Sequence, residues 1–205
     1  MADSLSPAPA RPVVLVHGIW DSAARLEPLR RGLAARGLTD LVAFDLLPNT
    51  GRAPLEQLGA QLEAVARTAL ARSPDGRIDL VGFSMGALVS RWWLQGRGRG
   101  QVRTFVSISG PHHGTQTAWP LSMLAGVRQM RPGSTFLQTL ATDPDPWGAT
   151  AVHCLYTPFD LMIMPATSSI LPRARSVQAV RVALHRLMLS DDRVLDAVVA
   201  RLHES

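Results

Sequence analysis

A serine stands between two glycines where a predicted buried strand turns into a predicted helix. The pentapeptide Gly82-Phe83-Ser84-Met85-Gly86 follows an apolar run at 77–81 and precedes a helix-forming run at 87–94. A strand that turns this sharply into a helix holds the serine in a strained backbone conformation and lifts its hydroxyl above the sheet. Side chains in place of the glycines would collide across the turn, and the helix N-terminus brings free N–H groups beside the hydroxyl. The pattern therefore predicts a nucleophilic serine at position 84.

Short apolar runs and helix-like segments alternate along the rest of the chain, which predicts a parallel sheet with helices on both faces. Helices are predicted at 22–36, from Leu55 through Val65 and at 87–94. A short helix is predicted to end at Leu140, and a last helix follows a cap at 190–192. Strands are predicted at 12–17, 41–45, 77–81, 102–109, 151–156 and 176–182. The serine turn after the third strand is typical of α/β-hydrolases, so the predicted fold class is α/β, with a six-stranded, mostly parallel sheet.

The chain of 205 residues suits one domain with a sizeable core. We expect residues 1–11 to form a disordered tail, because they are rich in Pro and Ala and lack the apolar stretch of a signal peptide. A cytoplasmic location follows as an expectation, with secretion left open if a leader precedes this sequence. Residues 12–205 are expected to form a single domain, in which 111–148 is either a packed helical crossover or a small cap over the substrate.

The basic side chains limit the chemistry that the chain can perform. All 21 residues counted as Lys or Arg are arginine, and the absence of lysine excludes a Ser–Lys dyad, a Schiff base, pyridoxal phosphate attachment and a P-loop lysine. The net charge of +5 comes from scattered arginines rather than a basic stripe, which argues against nucleic-acid binding. The single cysteine, Cys154, lies in an apolar run and is predicted to be a buried, inert thiol.

A serine hydroxyl needs a base to take its proton, normally a histidine that a carboxylate orients. In this fold the acid and then the base follow the serine, each on a loop after a strand. Asp160 follows the fifth predicted strand, in an apolar context where an unpaired charge is costly, and His185 follows the sixth. The other histidines occupy positions that do not fit this order, and Asp143 and Asp145 lie among prolines typical of turns. We therefore predict Ser84, Asp160 and His185 as a catalytic triad.

Acyl transfer also requires hydrogen-bond donors for the oxyanion of the tetrahedral intermediate. One donor is expected to be the backbone N–H of Met85, directly after the nucleophile. The second is expected from the loop after the first strand, where Gly18 permits the turn and Ile19 offers its N–H. With these groups in place, the predicted chemistry requires no metal and no organic cofactor.

Four segments of the chain resemble the small bacterial triacylglycerol lipases of the lipase A kind. They lie at 16–19, 78–86, 160–164 and 184–190, within a similarity that runs from about Pro12 to Leu202. The resemblance implies a six-stranded minimal α/β-hydrolase that cleaves carboxylic esters with the Ser–Asp–His set named above. It implies a small-molecule ester or lipid as the partner, with transient contact at a lipid interface.

The chain departs from that family at Phe83, where histidine is common, and at Ala87, where a further glycine is usual. The segment at 110–148 looks longer than in those lipases, which leaves the acyl chain length open. A stretch at 118–130 is predicted to border the acyl site. Candidate substrate-binding side chains, with ordinary core packing as the alternative for each, are Trp20, Phe83, Leu161, Ile163, Met164 and Trp119.

The same triad would serve an acyltransferase or a thioesterase, and the sequence does not separate these from a lipase or esterase. A non-catalytic lipid-binding protein of this fold is the alternative from another class, and the complete triad argues against it.

Overall fold

The structure is a computed structural model that describes residues 11–204. The strands are β1 (Val13–Val16), β2 (Leu41–Ala43), β3 (Ile78–Phe83), β4 (Val102–Ile108), β5 (Ala151–Tyr156) and β6 (Ser176–Ala179). They form one sheet in the order β2-β1-β3-β4-β5-β6, and every neighbouring pair is parallel. This confirms the predicted six-stranded α/β sheet.

Helices lie in the connections between the strands up to β5, and a last helix follows β6. They are α1 (Glu27–Ala35), α2 (Leu55–Leu70), α3 (Met85–Gln95), α4 (Ala125–Gln129), α5 (Thr135–Ala141) and α6 (Asp192–His203). Asp191 caps α6, because its carboxylate accepts a hydrogen bond from the backbone N–H of Arg193. Among the described helices, none combines the length and the apolar character needed to span a bilayer.

Helices cover both faces of the sheet, since its central strands carry buried apolar side chains on both sides. On one face α2 and α3 pack over a layer that includes Val14 and Leu80. On the other face α1 and α6 pack over the alternate positions, which include Leu15 and Val81. The sheet is thereby held rigidly between two apolar layers, which positions the loops at its edge.

Several predicted boundaries are wrong. β2, predicted at 41–45, ends at Ala43, and α2, predicted through Val65, continues to Leu70. The helix predicted at 22–36 is divided into a 3₁₀ turn at Ala23–Leu26 and α1, whose first turn contains Pro28, a residue without an N–H to donate. The last strand, predicted to reach residue 182, ends at Ala179, because β6 lies at the sheet edge with one neighbour to support it.

The predicted tail at 1–11 lies outside the described residues except for Arg11, whose guanidinium pairs with the carboxylate of Asp75 at 2.6 Å.

The segment at 111–148 combines a packed part and an exposed part. Val127 of α4 and Phe136 and Leu137 of α5 belong to the hydrophobic core. Trp119 and Met123, in contrast, are 50% and 82% exposed. The second half is therefore an ordinary packed crossover, while the turn before α4 lies at the surface.

The order of the sheet reverses at β1. The chain places β2 on one side of β1 and then crosses to β3 on the other side, so the loops that leave β1 and β3 diverge. In open parallel sheets, ligands bind in the crevice at such a switch point, beyond the carboxyl ends of the strands. The loop after β1 carries Gly18 and Ile19, and the turn after β3 carries Ser84.

Candidate active site

Ser84 connects β3 to α3 in a strained backbone conformation. Its φ of 54° and ψ of −125° lie in a region where residues other than glycine are rarely found. A Cβ built on Gly82 would lie 2.7 Å from the backbone of Ala87, and one on Gly86 would collide with the carbonyl oxygens of Val16 and His17. Both glycines are therefore required to bring α3 this close to β1 and β3.

The loop after β1 lies directly against this turn. A Cβ built on Gly18 would stand 3.0 Å from the Cβ of Ser84, so the absence of a side chain lets the two loops meet. His17 is fully buried, and its Nε2 accepts a hydrogen bond from the N–H of Leu46 at 2.9 Å. Its Nδ1 consequently donates to the carbonyl oxygen of Gly18 at 2.8 Å. His17 thus holds the loop in shape and has no nitrogen left for proton transfer.

The two N–H groups predicted to face the oxyanion are unengaged. Within residues 11–204, neither the N–H of Ile19 nor that of Met85, the first residue of α3, donates a hydrogen bond to the protein. The neighbouring N–H of Trp20 donates to the carbonyl of Asn49 at 3.0 Å, which fixes the loop that carries Ile19. Free N–H groups at a helix start and on an adjacent loop can donate hydrogen bonds to an oxygen that develops negative charge.

Asp160 and His185 form a hydrogen-bonded pair. The Oδ2 of Asp160 lies 2.7 Å from the Nδ1 of His185, and the two side chains are 1% and 9% exposed. The Oδ1 of Asp160 accepts the backbone N–H groups of Met162 and Ile163, each at 2.9 Å. With Oδ1 occupied in this way, Oδ2 is directed at the imidazole, so Nδ1 carries the proton and Nε2 is available as a base.

Burial and hydrogen bonding act in opposite directions on Asp160. Burial alone would raise the pKa of its carboxyl group, but the hydrogen bond and the charge of His185, with the N–H groups of Ile163 and Met162, outweigh burial and lower the pKa below its usual range. The ring of Phe83 packs against that of His185, with the ring centroids 4.7 Å apart. The imidazole is therefore oriented by a carboxylate on one side and by an aromatic ring on another.

Ser84 lies at the junction of two cavities. The first is the His-side cavity, which has a volume of about 400 Å³ and is lined by Ser84 and His185. The second is the apolar cavity, which has a volume of about 70 Å³. Ser84 lines it together with mostly apolar side chains such as Leu121, Val127 and Met130. Larger cavities occur near Arg128 and Arg91, but in the part of the chain that the structure describes neither is lined by a predicted triad residue.

The structure brings together most, but not all, of the predicted substrate-binding residues. Trp20, Phe83 and Leu161 line the His-side cavity, and Ile163 lines the apolar cavity. Within residues 11–204, Met164 and Trp119 line neither cavity.

Both residues make other contacts. The guanidinium of Arg131 stacks 3.5 Å from the ring centre of Trp119, whose side chain is half exposed. Met164 is tied to the loop at 115–117 through its N–H, which donates to Thr115 Oγ1, and through its carbonyl, which accepts from Gln116. Its side chain remains 41% exposed.

Several cavity residues were missed by the sequence reasoning. Phe159 and Leu184 line the His-side cavity beside Asp160 and His185, and their adjacency to the predicted acid and base was a signal for them. Asp21 and Arg186 also line this cavity. Leu121, Val127 and Met130 line the apolar cavity and belong to the stretch at 118–130 that was predicted to border the acyl site, whereas Trp119, the side chain predicted in that stretch, does not line it.

The remaining titratable candidates have structural roles. His112 is fully buried and bonded to Ser107 Oγ at 2.7 Å, and burial lowers its pKa well below the usual value. His153 bonds to Ser176 across β5 and β6. Cys154 is buried in the core, which raises the pKa of its thiol to about 11, in agreement with the prediction of an inert cysteine.

Asp143 pairs with Arg99 and accepts the N–H of Asp145, in the turn that both were predicted to form. Among residues 11–204, no three His, Cys, Asp or Glu side chains cluster as metal ligands.

Comparison with solved structures identifies the fold. The mature form of Bacillus licheniformis lipase BlEst2 superposes with a TM-score of 0.76 over 98% of this chain and 95% of that chain, at 20% identity. Similarity at this identity shows a shared α/β-hydrolase architecture.

Comparison of sequences identifies closer relatives. Palmitoyl-protein thioesterase 3 of Dictyostelium discoideum is 28% identical over 113 residues, and human lysosomal thioesterase PPT2 is 32% identical over 120 residues. These matches cover 51% and 53% of this chain. The matched region spans 37% and 38% of the length of these curated relatives.

The family model described as palmitoyl protein thioesterase matches residues 12–159. The match includes Ile19, Ser84 and Met85 and ends one residue before Asp160, so the assignment of the acid and the base depends on the geometry described above. A match over more than half of the chain shows its family. The chain belongs to the palmitoyl protein thioesterase family.

Proposed function

We propose that this chain hydrolyses acyl esters and thioesters through an acyl-enzyme formed on Ser84. The observation that carries the proposal is the 2.7 Å hydrogen bond between Asp160 and His185 at the edge of the cavity that Ser84 lines. The strained conformation of Ser84 and the free N–H groups of Ile19 and Met85 support it further. The family and both named thioesterase relatives favour acyl thioesters among the substrates.

The reaction follows from these positions. The Oγ of Ser84 attacks the acyl carbonyl carbon while Nε2 of His185 takes its proton, and Asp160 stabilises the imidazolium through Nδ1–H. The N–H groups of Ile19 and Met85 bind the oxyanion of the tetrahedral intermediate. The bond from the carbonyl carbon to the leaving oxygen or sulfur then breaks, and His185 returns the proton to the leaving group. Water, deprotonated by His185, releases the acid from Ser84 by the same steps in a second cycle.

Two expectations from the sequence stay predictions within this proposal. One is that the chain is similar to the small bacterial lipases of the lipase A kind, and the other is that the protein is cytoplasmic. Acyl transfer to an alcohol other than water would use the same side chains.

A fluorophosphonate probe tests the proposal directly, since it reacts with an activated serine. We expect intact-mass analysis to show one adduct, which peptide mapping places on Ser84. Ser109→Ala is a matched control, because Ser109 also has a positive φ, of 48°, at the end of a strand but is fully buried. Labelling should survive in Ser109→Ala and disappear in Ser84→Ala. Equal labelling of both variants would contradict the assignment of the nucleophile.

The apolar cavity, at about 70 Å³, is expected to hold the first few carbons of the acyl chain next to Ser84. Leu121→Ala should lower kcat/KM for long acyl chains relative to short ones, because each lost methylene contact is worth about 1 kcal/mol. Trp119→Ala is the control, because Trp119 is larger than Leu121, lies two positions before it and lines neither cavity. Its ratio of kcat/KM on long esters to that on short esters should equal the wild-type ratio. A series of p-nitrophenyl esters measures both ratios. A shift in Trp119→Ala without one in Leu121→Ala would contradict this position for the acyl chain.

A further inference from the structure

A third carboxylate lies in the site, and the proposed triad does not use it. Asp21 follows the loop of Gly18 and Ile19 and lines the His-side cavity together with Ser84 and His185. Its side chain is 5% exposed. A carboxylate buried to this extent normally has hydrogen-bond donors around it, because removal from water without them is costly.

Neither oxygen of the Asp21 carboxylate accepts a hydrogen bond among residues 11–204. Oδ1 is fully buried, so Oδ2 is the oxygen that a ligand in the cavity can reach. The nearest cationic atoms are Nε of Arg25 at 3.6 Å and an Nη atom of Arg186 at 3.9 Å, both beyond hydrogen-bond length. These arginine side chains are 56% and 59% exposed, so solvent weakens both ion pairs. Asp21 therefore offers acceptor capacity that the described protein leaves unused.

The Oδ2 atom of Asp21 lies close to the reacting serine. A Cβ built on Gly18 would lie 3.0 Å from the Cβ of Ser84 and 3.4 Å from the Oδ2 of Asp21. The serine and the carboxylate thus flank the same glycine. When the carbonyl carbon of a substrate is bonded to Ser84, substrate atoms a few bonds from that carbon would lie near the carboxylate of Asp21.

The cavity that holds Asp21 lies on the side of the leaving group. His185 has to reach the leaving atom to protonate it, and within residues 11–204 His185 lines the His-side cavity and not the apolar one. The apolar cavity, with Leu121, Val127 and Met130, suits the acyl chain. Asp21 accordingly faces the part of the substrate that leaves as a thiol or an alcohol.

We propose that Asp21 selects leaving groups that carry an N–H donor within a few bonds of the scissile sulfur or oxygen. The inference rests on the proposed function and adds a specificity-determining residue to it. An amide N–H would donate to the carboxylate. A leaving group without this donor would leave the carboxylate with no hydrogen bond and only the two long, solvent-exposed arginine pairs. Sites built to bind a donor discriminate strongly against analogues that lack it.

A matched pair of thioesters tests this preference. S-butyryl-N-acetylcysteamine carries an amide N–H two carbons from the sulfur, and the S-butyryl thioester of 2-mercaptoethyl acetate replaces that N–H with oxygen. We expect the wild type to favour the amide in kcat/KM by about tenfold or more. Asp21→Ala should abolish the preference, and Asp21→Asn, which keeps one acceptor oxygen, should retain part of it. Arg25→Ala is the control, because it removes an ion pair of Asp21 without removing the acceptor, and it should keep the full preference.

The outcomes separate the inference from the proposed function. Equal wild-type rates on the two thioesters, an unchanged preference in Asp21→Ala, or an equal loss on both substrates would overturn the role of Asp21 and leave the hydrolase intact. Absence of thioester and ester turnover together with absence of fluorophosphonate labelling would overturn the proposed function itself. Asp21→Asn gives the answer if Asp21→Ala does not fold.

Amide N–H groups of this kind occur in pantetheine thiols and in cysteine peptides. S-butyryl-coenzyme A and an S-butyryl-cysteine peptide amide distinguish the two sources. The substrate whose kcat/KM falls by the larger factor in Asp21→Ala carries the donor that the carboxylate binds.

Discussion

Ser84→Ala is expected to lower kcat on acyl esters and thioesters by about ten-thousandfold or more, with little change in thermal stability. The Oγ of Ser84 forms the covalent bond to the acyl group in the proposed mechanism, and alanine has no atom that replaces it. The remaining fold should be intact, because the conformation at this position is set by the collisions that Gly82 and Gly86 avoid and by the hydrogen bond from the N–H of Ser84 to the carbonyl oxygen of Ile108.

A comparison of single and double variants makes this expectation sharper. If Ser84 and His185 act as one unit, His185→Ala should reach nearly the same low rate as Ser84→Ala, and the double variant should be no slower than either. Initial rates and differential scanning fluorimetry on the three variants measure both quantities. Losses that multiply in the double variant would show that the two residues act independently, contrary to the triad.

The serine turn and the order of elements could be predicted because local physics determines them. Gly82 and Gly86 are required by backbone collisions that any sharp strand–helix turn produces, so the pentapeptide alone indicates the conformation of Ser84. The apolar run of β5 and the face of α2 likewise carry their own periodicity. Chain order then directed attention to Asp160 and His185, and their hydrogen bond agrees with that expectation.

The lining of the cavities could not be predicted, because it depends on how loops distant in sequence meet. Trp119 has the size and polarity of an acyl-pocket residue, yet it stacks on Arg131 at the surface, and Leu121 lines the cavity. Nothing in the sequence distinguishes Asp21 from an ordinary residue at a helix start. Its unused acceptor becomes visible only once the distances to Arg25 and Arg186 are known.

Asp160→Asn is expected to lower kcat by several thousandfold while leaving the fold intact. The reason lies in the two oxygens of Asp160. Oδ1 accepts the N–H groups of Met162 and Ile163, so the carbonyl oxygen of an asparagine would take this position and keep the loop in place. The amide nitrogen would then face Nδ1 of His185, which would have to become an acceptor.

That exchange moves the imidazole proton to Nε2, the nitrogen that has to take the proton from Ser84, and a base that already carries a proton there cannot act. The thermal unfolding midpoint should change little, whereas kcat falls. Asp143→Asn and Asp145→Asn are matched controls on the other aspartates of the same part of the chain. They lie in a turn in which the carboxylate of Asp143 pairs with Arg99 and accepts the backbone N–H of Asp145. Near-normal turnover in Asp160→Asn together with a large loss in either control would move the acid to that turn. A loss of the fold in Asp160→Asn would show that the carboxylate is needed for structure. In that case an NMR measurement on the wild type would still test the role of Asp160, because a proton on Nδ1 of His185 is the tautomer that catalysis requires.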